Sequence, residues 1–322
     1  MKYPKDSNIF MFILIIFLIF IGNGLINIIA PIILKLYPNV SQEEKLLILQ
    51  AIFAIFSFIA PTILYMLIKR ISIKDIIPLK PLSIKNILII IFMSFAIQPM
   101  LQLIGAITNI FSKDEITDTM YVFASVSLPK ALFVTAIIPA ITEELTMRGV
   151  ILSGYKKTSL LTGVLMSSFY FGIMHFTITQ LFYAIVAGVI FALIVKVTKS
   201  IYASVLMHFI FNGTQITLAS LVLKYFPEEV EKATILQTPT LQENFITILI
   251  SGIQFLFSLP FLLLAIFLFI KVNKEEIKEL KEENQLLKNS EDKPKVFTLF
   301  FYINILIYII YMIILNYIKS IV

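Results

Sequence analysis

The sequence contains no cysteine and no tryptophan, and only two of its 322 residues are histidine. Without cysteine the chain can form no disulfide, no thiolate metal site and no cysteine nucleophile. The two histidines, His175 and His208, both lie in apolar segments. Any chemistry that needs an imidazole must therefore use one or both of them.

Charged residues are also scarce, at 14% of the chain, whereas 59% of the residues are hydrophobic. This composition excludes an ordinary soluble protein. The apolar residues form several runs of roughly 18 or more, which predicts an all-α, polytopic membrane protein. The first run is too long for a signal peptide, so we expect an uncleaved span there. About nine spans are predicted, near residues 9–33, 46–68, 87–111, 132–152, 160–176, 181–195, 201–222, 245–270 and 296–318.

The net charge of +6 would suggest a nucleic-acid partner in a soluble protein. Here the basic residues flank the apolar runs, where Lys and Arg set membrane orientation, so we expect a lipid bilayer and no nucleic acid. Basic residues are concentrated in segments 69–85 and 271–295, and acidic residues in segments 114–118 and 228–231. This distribution predicts a cytoplasmic N-terminus and an external C-terminus.

The predicted organisation has three parts. Residues 1–270 form the helical bundle, with its central part at about residues 130–222. Residues 271–295 alternate Glu and Lys at helical spacing, which is typical of a solvated cytoplasmic helix, with a docking or coiled-coil element as the alternative. Residues 296–322 form an additional C-terminal transmembrane helix.

The fourth predicted span contains the stretch P-A-I-T-E-E-L-T-M-R-G, residues 139–149. A charged side chain near the centre of a membrane helix costs at least ~2.5 kcal/mol, so such groups indicate a functional site in a protein interior or a hydrated cavity. Glu144 and Arg148 are one turn apart and can pair. Glu143 points elsewhere and has no local cation, which suits a general base or acid. The alternative is an ion cluster that only holds helices together.

Two further motifs follow in apolar segments. Phe171 and His175 are separated by one helical turn, and so are His208 and Asn212. A single membrane histidine is more often an interhelical hydrogen-bonding group than a catalyst. Together with the glutamates, however, these residues supply a base, its partner and two donors for a tetrahedral oxyanion.

The ordered motifs E-E-x-x-x-R, F-x-x-x-H and H-x-x-x-N resemble those of the CPBP (Abi) family of intramembrane proteases, which includes the type II CAAX prenyl endopeptidases. The resemblance covers about residues 132–213. It implies an endopeptidase of the bacterial cytoplasmic membrane whose substrate is a membrane-associated, in some members lipid-modified, peptide or protein. It also implies that Glu143 and His175 activate water and that His208 and Asn212 stabilise the oxyanion. The residues implied to hold this geometry are Glu144, Arg148 and Phe171.

No cofactor is favoured, because the sequence lacks the H-E-x-x-H pattern of many zinc proteases. If zinc is present, its ligands would be Glu143, His175 and His208, one from each of three helices. Counting the helical rise along the fifth span places His175 deeper than Glu143. If the two side chains meet, we therefore expect that span to be short or tilted, or to begin at Thr158 below the membrane interface.

Two other functions are compatible with these residues. A proton-coupled carrier would also use intramembrane Glu, Arg and His, although no internal repeat is visible in the sequence. The same fold could also serve as a catalytically inactive immunity or scaffold protein.

Overall fold

The computed structural model describes residues 3–111, 115–228 and 240–321. In these ranges the chain is helical, with no strand, so the all-α prediction is confirmed. We number the principal helices α1 to α11. Their bounds are α1 Pro4–Leu36, α2 Gln42–Lys69, α3 Ile84–Thr108, α4 Glu115–Ala124, α5 128–154, α6 Leu160–Ile173, α7 Ile178–Thr198, α8 Ile201–Tyr225, α9 Leu241–Val272, α10 Lys274–Asn289 and α11 Leu299–Ile321.

Within the described ranges, seven helices are long and apolar enough to cross a membrane, namely α1, α2, α3, α7, α8, α9 and α11. The predicted count of about nine is therefore not confirmed. Two of the predicted spans are not among these seven helices. Span 132–152 lies in α5 and carries the Glu pair and Arg148, and span 160–176 corresponds to the short helix α6. Helix α6 has 14 residues, about 21 Å of rise, compared with a hydrocarbon core of about 30 Å.

Serine or threonine begins many of these helices. In each of five cases the side-chain oxygen accepts a hydrogen bond from the backbone N–H three residues later, at 3.2 Å. Such caps satisfy one of the N–H groups that a helix start leaves unpaired, which matters where water is scarce. The caps are Ser41, Ser83, Ser159, Thr177 and Thr240.

Helix α5, which carries the two glutamates, alternates between α and π geometry. Its π segments are Phe133–Ile137 and Leu145–Ile151. Pro139 follows the first segment and has no N–H to donate, so this turn has more carbonyl oxygens than helical donors. One of these carbonyls, Thr135 O, accepts instead from the side chain of Asn212 at 3.2 Å. The backbone irregularity thus provides an anchor for a residue of a distant helix.

Ion pairs mark one end of the bundle, which we call the charged end. There, Lys69 lies 3.2 Å from Asp6, and Lys199 lies 2.8 Å from Glu279 of α10. The side chain of Asn284 also caps α6, since its Oδ1 accepts from Leu160 N at 2.7 Å. Helix α10 therefore contacts the bundle through these side chains, while none of its own residues is fully buried.

The opposite end of the bundle, which we call the far end, contains the start of α2 and the end of α8. Of the acidic segments predicted to lie outside the membrane there, residues 114 and 229–231 fall outside the described residues.

A buried hydrogen-bond network centred on Asn8 joins the first and last helices. Tyr155 and Tyr170 donate their hydroxyls to Asn8 Oδ1 at 2.6 and 2.8 Å. Asn8 Nδ2 donates to Thr298 Oγ1 at 2.9 Å, and Asn304 Nδ2 donates to Asn8 O at 2.9 Å. Helix α11 is thus bonded to the core of the bundle.

Replacing Asn8 by alanine is expected to destabilise the protein, because it leaves the two tyrosine hydroxyls without their acceptor. Each buried group left unsatisfied costs roughly 1–3 kcal/mol. Denaturant unfolding in detergent measures the loss. Asn23→Ala in the same helix is the control, since Asn23 is exposed and donates only to carbonyls of its own helix. Equal stability of the two variants would contradict the importance of the network.

Candidate active site

A buried ion pair forms the base of the site. Arg148 Nη1 donates to Glu144 Oε1 at 3.0 Å, as the one-turn spacing predicts, and both side chains are fully buried. Arg148 Nη2 donates to Gly188 O of α7 at 3.2 Å. The guanidinium lies 4.4 Å from the ring centroid of Phe171 and 5.2 Å from that of Phe191. The charge is therefore balanced by a carboxylate and flanked by two aromatic faces.

Glu143 and His175 face each other across a short gap. Glu143 Oε2 lies 4.0 Å from His175 Nε2. His175 Nδ1 lies 2.7 Å from Phe171 O, a pure acceptor, so Nδ1 carries a proton, and in the neutral imidazole Nε2 presents its lone pair to Glu143. A water oxygen about 2.8 Å from both atoms fits between them. The pair is therefore spaced to hold one water.

Glu143 Oε2 is buried and has no hydrogen-bond partner within the described part of the chain. A buried acceptor of this kind is costly unless a ligand or water satisfies it. This atom points toward the gap with His175, so it is a candidate to bind the reacting water.

Helix α6 ends earlier than expected, and this explains how His175 reaches Glu143. The sequence predicts a helical span to residue 176, but the helix ends at Ile173 and His175 lies in the following turn. Phe176 then adopts a left-handed conformation, with φ of 52°. The helix is short, which is one of the conditions expected for His175 to reach Glu143, and the predicted helical span to residue 176 is wrong in its end. Phe171 and His175 still lie together, with ring centroids 5.1 Å apart.

Two aromatic residues of the last helix hold this turn. The ring of Phe176 stacks on Tyr308 at a centroid distance of 6.2 Å and meets the edge of Tyr311 at 5.0 Å. A left-handed conformation is unusual for a bulky residue and needs support from its surroundings. Helix α11 thus packs against the residue next to His175, a contact that the motifs did not indicate.

His208 is oriented by the buried ion pair. Its Nδ1 lies 3.1 Å from Glu144 Oε1. Because Arg148 also bonds this oxygen, the carboxylate acts as an acceptor and His208 Nδ1 carries a proton. The remaining ring nitrogen, Nε2, can then donate a hydrogen bond only when the imidazole carries both protons.

Asn212 lies one turn beyond His208. Its Nδ2 donates to Thr135 O at 3.2 Å, which fixes which way the amide faces. An amide NH₂ group has two hydrogens, so one remains for a ligand. Sequence reasoning missed Thr135. It contributes its backbone carbonyl, and any residue type has one, so no motif points to it.

Phe171 connects the parts of the site. Its carbonyl holds His175, its face covers Arg148, and its ring lies edge-on to His208 with centroids 5.8 Å apart. Close packing of α6 and α7 makes this possible: a Cβ added to Gly188 would lie 3.0 Å from Ser168 Cα and 3.3 Å from Phe171 Cδ1. The supporting position predicted for Phe171 thus corresponds to three contacts.

The four candidate catalytic side chains line one cavity of about 310 Å³, which we call the catalytic cavity. They come from three helical regions of the chain, so their convergence depends on tertiary structure. The cavity can hold a carbonyl group and a water together with a basic carboxylate and N–H donors. The four residues are Glu143, His175, His208 and Asn212.

The alternative zinc ligands do not form a metal-binding group. Within the described residues, no three or more His, Asp or Glu side chains are placed to hold a metal ion. The Nδ1 atoms of His175 and His208 bond Phe171 O and Glu144 Oε1, which leaves only Nε2 of each ring for a metal. These two atoms and Glu143 are not gathered into one metal-binding group in this arrangement, and we derive no step through a metal.

One family model matches the part of the chain that carries this site. Residues 125–214 match the family described as type II CAAX prenyl endopeptidase Rce1-like. No curated protein and no solved structure matches the chain. The matched segment includes all three motifs and the four side chains of the catalytic cavity. The resemblance that the motifs indicated is therefore confirmed for residues 125–214, which match an Rce1-like type II CAAX prenyl endopeptidase domain.

Proposed function

We propose that this integral membrane protein is an endopeptidase that hydrolyses a peptide bond in a membrane-associated peptide or protein. The convergence of Glu143, His175, His208 and Asn212 on the catalytic cavity is the observation that supports this proposal most strongly. The Rce1-like match over residues 125–214 supports the same reaction class. A carrier or an inactive scaffold would not require a water-sized gap between a carboxylate and an imidazole lone pair.

In the proposed reaction, Glu143 accepts a proton from water while the water oxygen bonds to the substrate carbonyl carbon. His175 Nε2 accepts a hydrogen bond from the same water and orients it. The carbonyl oxygen becomes an oxyanion, to which Asn212 and protonated His208 donate hydrogen bonds. As the C–N bond breaks, Glu143 returns the proton to the departing amine, so the cycle begins and ends with an ionised Glu143.

Glu144 and Arg148 act indirectly in this scheme. The Glu144 carboxylate accepts from His208 Nδ1 and fixes its ring, while Arg148 holds the carboxylate in place. We propose that the reaction needs no metal, because the described donor atoms supply a base and oxyanion donors without one.

The substrate and the membrane orientation belong to the same proposal. A site within a helical membrane bundle suits peptides that are themselves bound to the bilayer, with or without a lipid modification. The N-terminal helix and α10 share the charged end, and basic segments favour the cytoplasmic side. We therefore propose that the charged end lies in the cytoplasm.

The direct test uses purified protein in proteoliposomes and a library of prenylated and unmodified fluorescence-quenched peptides. We expect cleavage of at least one class, with products identified by mass spectrometry. If no peptide is cleaved and a labelled solute is instead transported across the membrane, the carrier function would replace this proposal.

The rate of cleavage is expected to be unchanged by a chelator such as 1,10-phenanthroline. The reason is that Glu143, His175 and His208 are not gathered as metal ligands. Loss of activity with the chelator, restored by added zinc, would contradict the metal-free mechanism but not the endopeptidase function. The non-chelating 1,7-phenanthroline isomer controls for direct inhibition.

Replacing Asn212 by alanine is expected to lower kcat by about 10²–10³-fold with little change in KM, because removal of one oxyanion donor has an effect of this size. Steady-state kinetics on a cleaved peptide measure both constants. Ser220→Ala in the same helix is the control, since Ser220 donates to Ala124 O near the far end. A similar loss in both variants would show that the effect comes from helix packing.

A further inference from the structure

A second cavity, of about 560 Å³, adjoins the catalytic cavity. It is lined by an unusual set of side-chain amides, and we call it the amide cavity. Four residues line both cavities and form the wall that the two spaces share: Gln180, Tyr183, Phe211 and Asn212. The amide side chains that line the amide cavity are Gln102, Asn109, Gln180, Asn212 and Gln215.

The amide cavity lies in the half of the bundle nearer the far end. Its lining comes from the second halves of α3 and α8 and from the first halves of α7 and α9. At the charged end, α3 and α8 begin and α7 and α9 end. The amide cavity therefore lies on the side of the catalytic cavity that faces the far end, away from α10.

The chemistry of this lining matches a polypeptide backbone. Glutamine side chains offer both donors and acceptors, as main-chain amides do. Gln215 donates to Gln98 at 3.3 Å and Gln180 accepts from Thr177 at 3.2 Å, so each keeps further hydrogen-bonding capacity for a ligand. Among the described residues that line it, none is charged, which argues against an ionic ligand.

Uncharged polar groups inside a membrane bundle are costly unless they are satisfied. An extended peptide would offer hydrogen-bond donors and acceptors to several of the lining amides at once. Asn212 belongs to both cavities, so a peptide that lies in the amide cavity delivers its next carbonyl to the oxyanion donors.

We propose that the amide cavity binds an extended segment of the substrate polypeptide, on one side of the scissile bond, through main-chain hydrogen bonds. The substrate thus reaches the catalytic cavity from the far end of the bundle and not from the charged end. This inference rests on the proposed endopeptidase function. It adds a binding site and a direction of access that the matched motifs do not contain.

The direction of access can be tested with single cysteines, because the chain has none of its own. Gln102→Cys places a thiol in the amide cavity, and Lys74→Cys places one at the charged end. Both are reconstituted in proteoliposomes and treated with a membrane-impermeant maleimide from either side. We expect Gln102→Cys to be labelled from the side opposite to Lys74→Cys. Labelling of both from the same side would overturn the proposed direction.

Peptide binding is tested in the same vesicles. An unmodified hydrophobic decapeptide, added on the side that labels Gln102→Cys, is expected to slow that labelling about fivefold and to leave Lys74→Cys unaffected. The peptide is used at a concentration at which the unsubstituted protein cleaves it. If it does not slow the labelling of Gln102→Cys there, the proposed binding site is overturned.

The contribution of the amides is tested by kinetics. The double variant Gln102→Leu with Gln215→Leu is expected to raise KM about tenfold, since each lost hydrogen bond weakens binding several-fold, and to leave kcat unchanged. Gln254→Leu on the exposed surface of α9 is the matched control and should change neither constant. If KM is unchanged in the double variant and cleavage still requires Glu143, only the proposed role of the amide cavity in substrate binding is overturned. An absence of cleavage by the unsubstituted protein overturns the proposed function itself.

Discussion

Replacing Glu143 by glutamine is expected to lower kcat for peptide cleavage by about 10²–10⁴-fold, the range typical of a lost general base. Glutamine has nearly the same shape but cannot accept the proton of the attacking water. It also lacks the second carboxylate oxygen, Oε2, which lies 4.0 Å from His175 Nε2. Initial rates on a cleaved peptide, with thermal unfolding measured in parallel, separate lost chemistry from lost structure.

The control for this variant is Glu279→Gln in helix α10. Glu279 is exposed and pairs with Lys199 at the charged end, far along α7 from the catalytic cavity. The substitution makes the same chemical change, and we expect full activity. If Glu143→Gln also cleaved at the normal rate, Glu143 could not be the base, and the mechanism would have to be abandoned.

Replacing Arg148 by methionine is expected to destabilise the protein by about 3–5 kcal/mol, because it leaves the buried Glu144 carboxylate without its cation. The substitution also removes the hydrogen bond to Gly188 O and the contact with the Phe171 ring. Denaturant unfolding in detergent measures the effect. We expect cleavage activity to fall as well, since His208 depends on the same carboxylate oxygen.

A double-mutant cycle tests the cause of this loss. Combining Arg148→Met with Glu144→Gln removes both charges and keeps an acceptor for His208, so part of the lost stability should return. Lys130→Met is the matched control, because its pair with Glu44 is exposed and worth at most about 1 kcal/mol. If the double variant is no more stable than Arg148→Met, an unpaired buried charge is not the reason for the instability.

Those parts of the site that depend on residues close together in the chain, or on rare residue types, could be predicted from the sequence. The spacing of Glu144 and Arg148 fixes their pairing, and the scarcity of histidine leaves only His175 and His208 as candidates. Their convergence with Glu143 follows once charged groups are required to avoid lipid.

Other parts could not be predicted, because they depend on partners far away in the chain. The π geometry of α5 places Thr135 O beside Asn212, which is 77 residues later. The early end of α6 depends on a left-handed Phe176 that is held by rings of α11. Hydropathy reports neither effect. It therefore overestimates the length of the fifth span, and it does not indicate that the C-terminal helix contacts the site.

The joining of the first and last helices bears on when the proposed active site can be completed during synthesis. Asn304 bonds Asn8 across 296 residues of sequence, and the rings beside Phe176 belong to the same late helix. Contacts of such long sequence separation form last, because the intervening chain must be made and inserted first. A nascent chain paused before α11 would already contain both histidines and both glutamates, but the turn next to His175 would lack its contacts with Tyr308 and Tyr311.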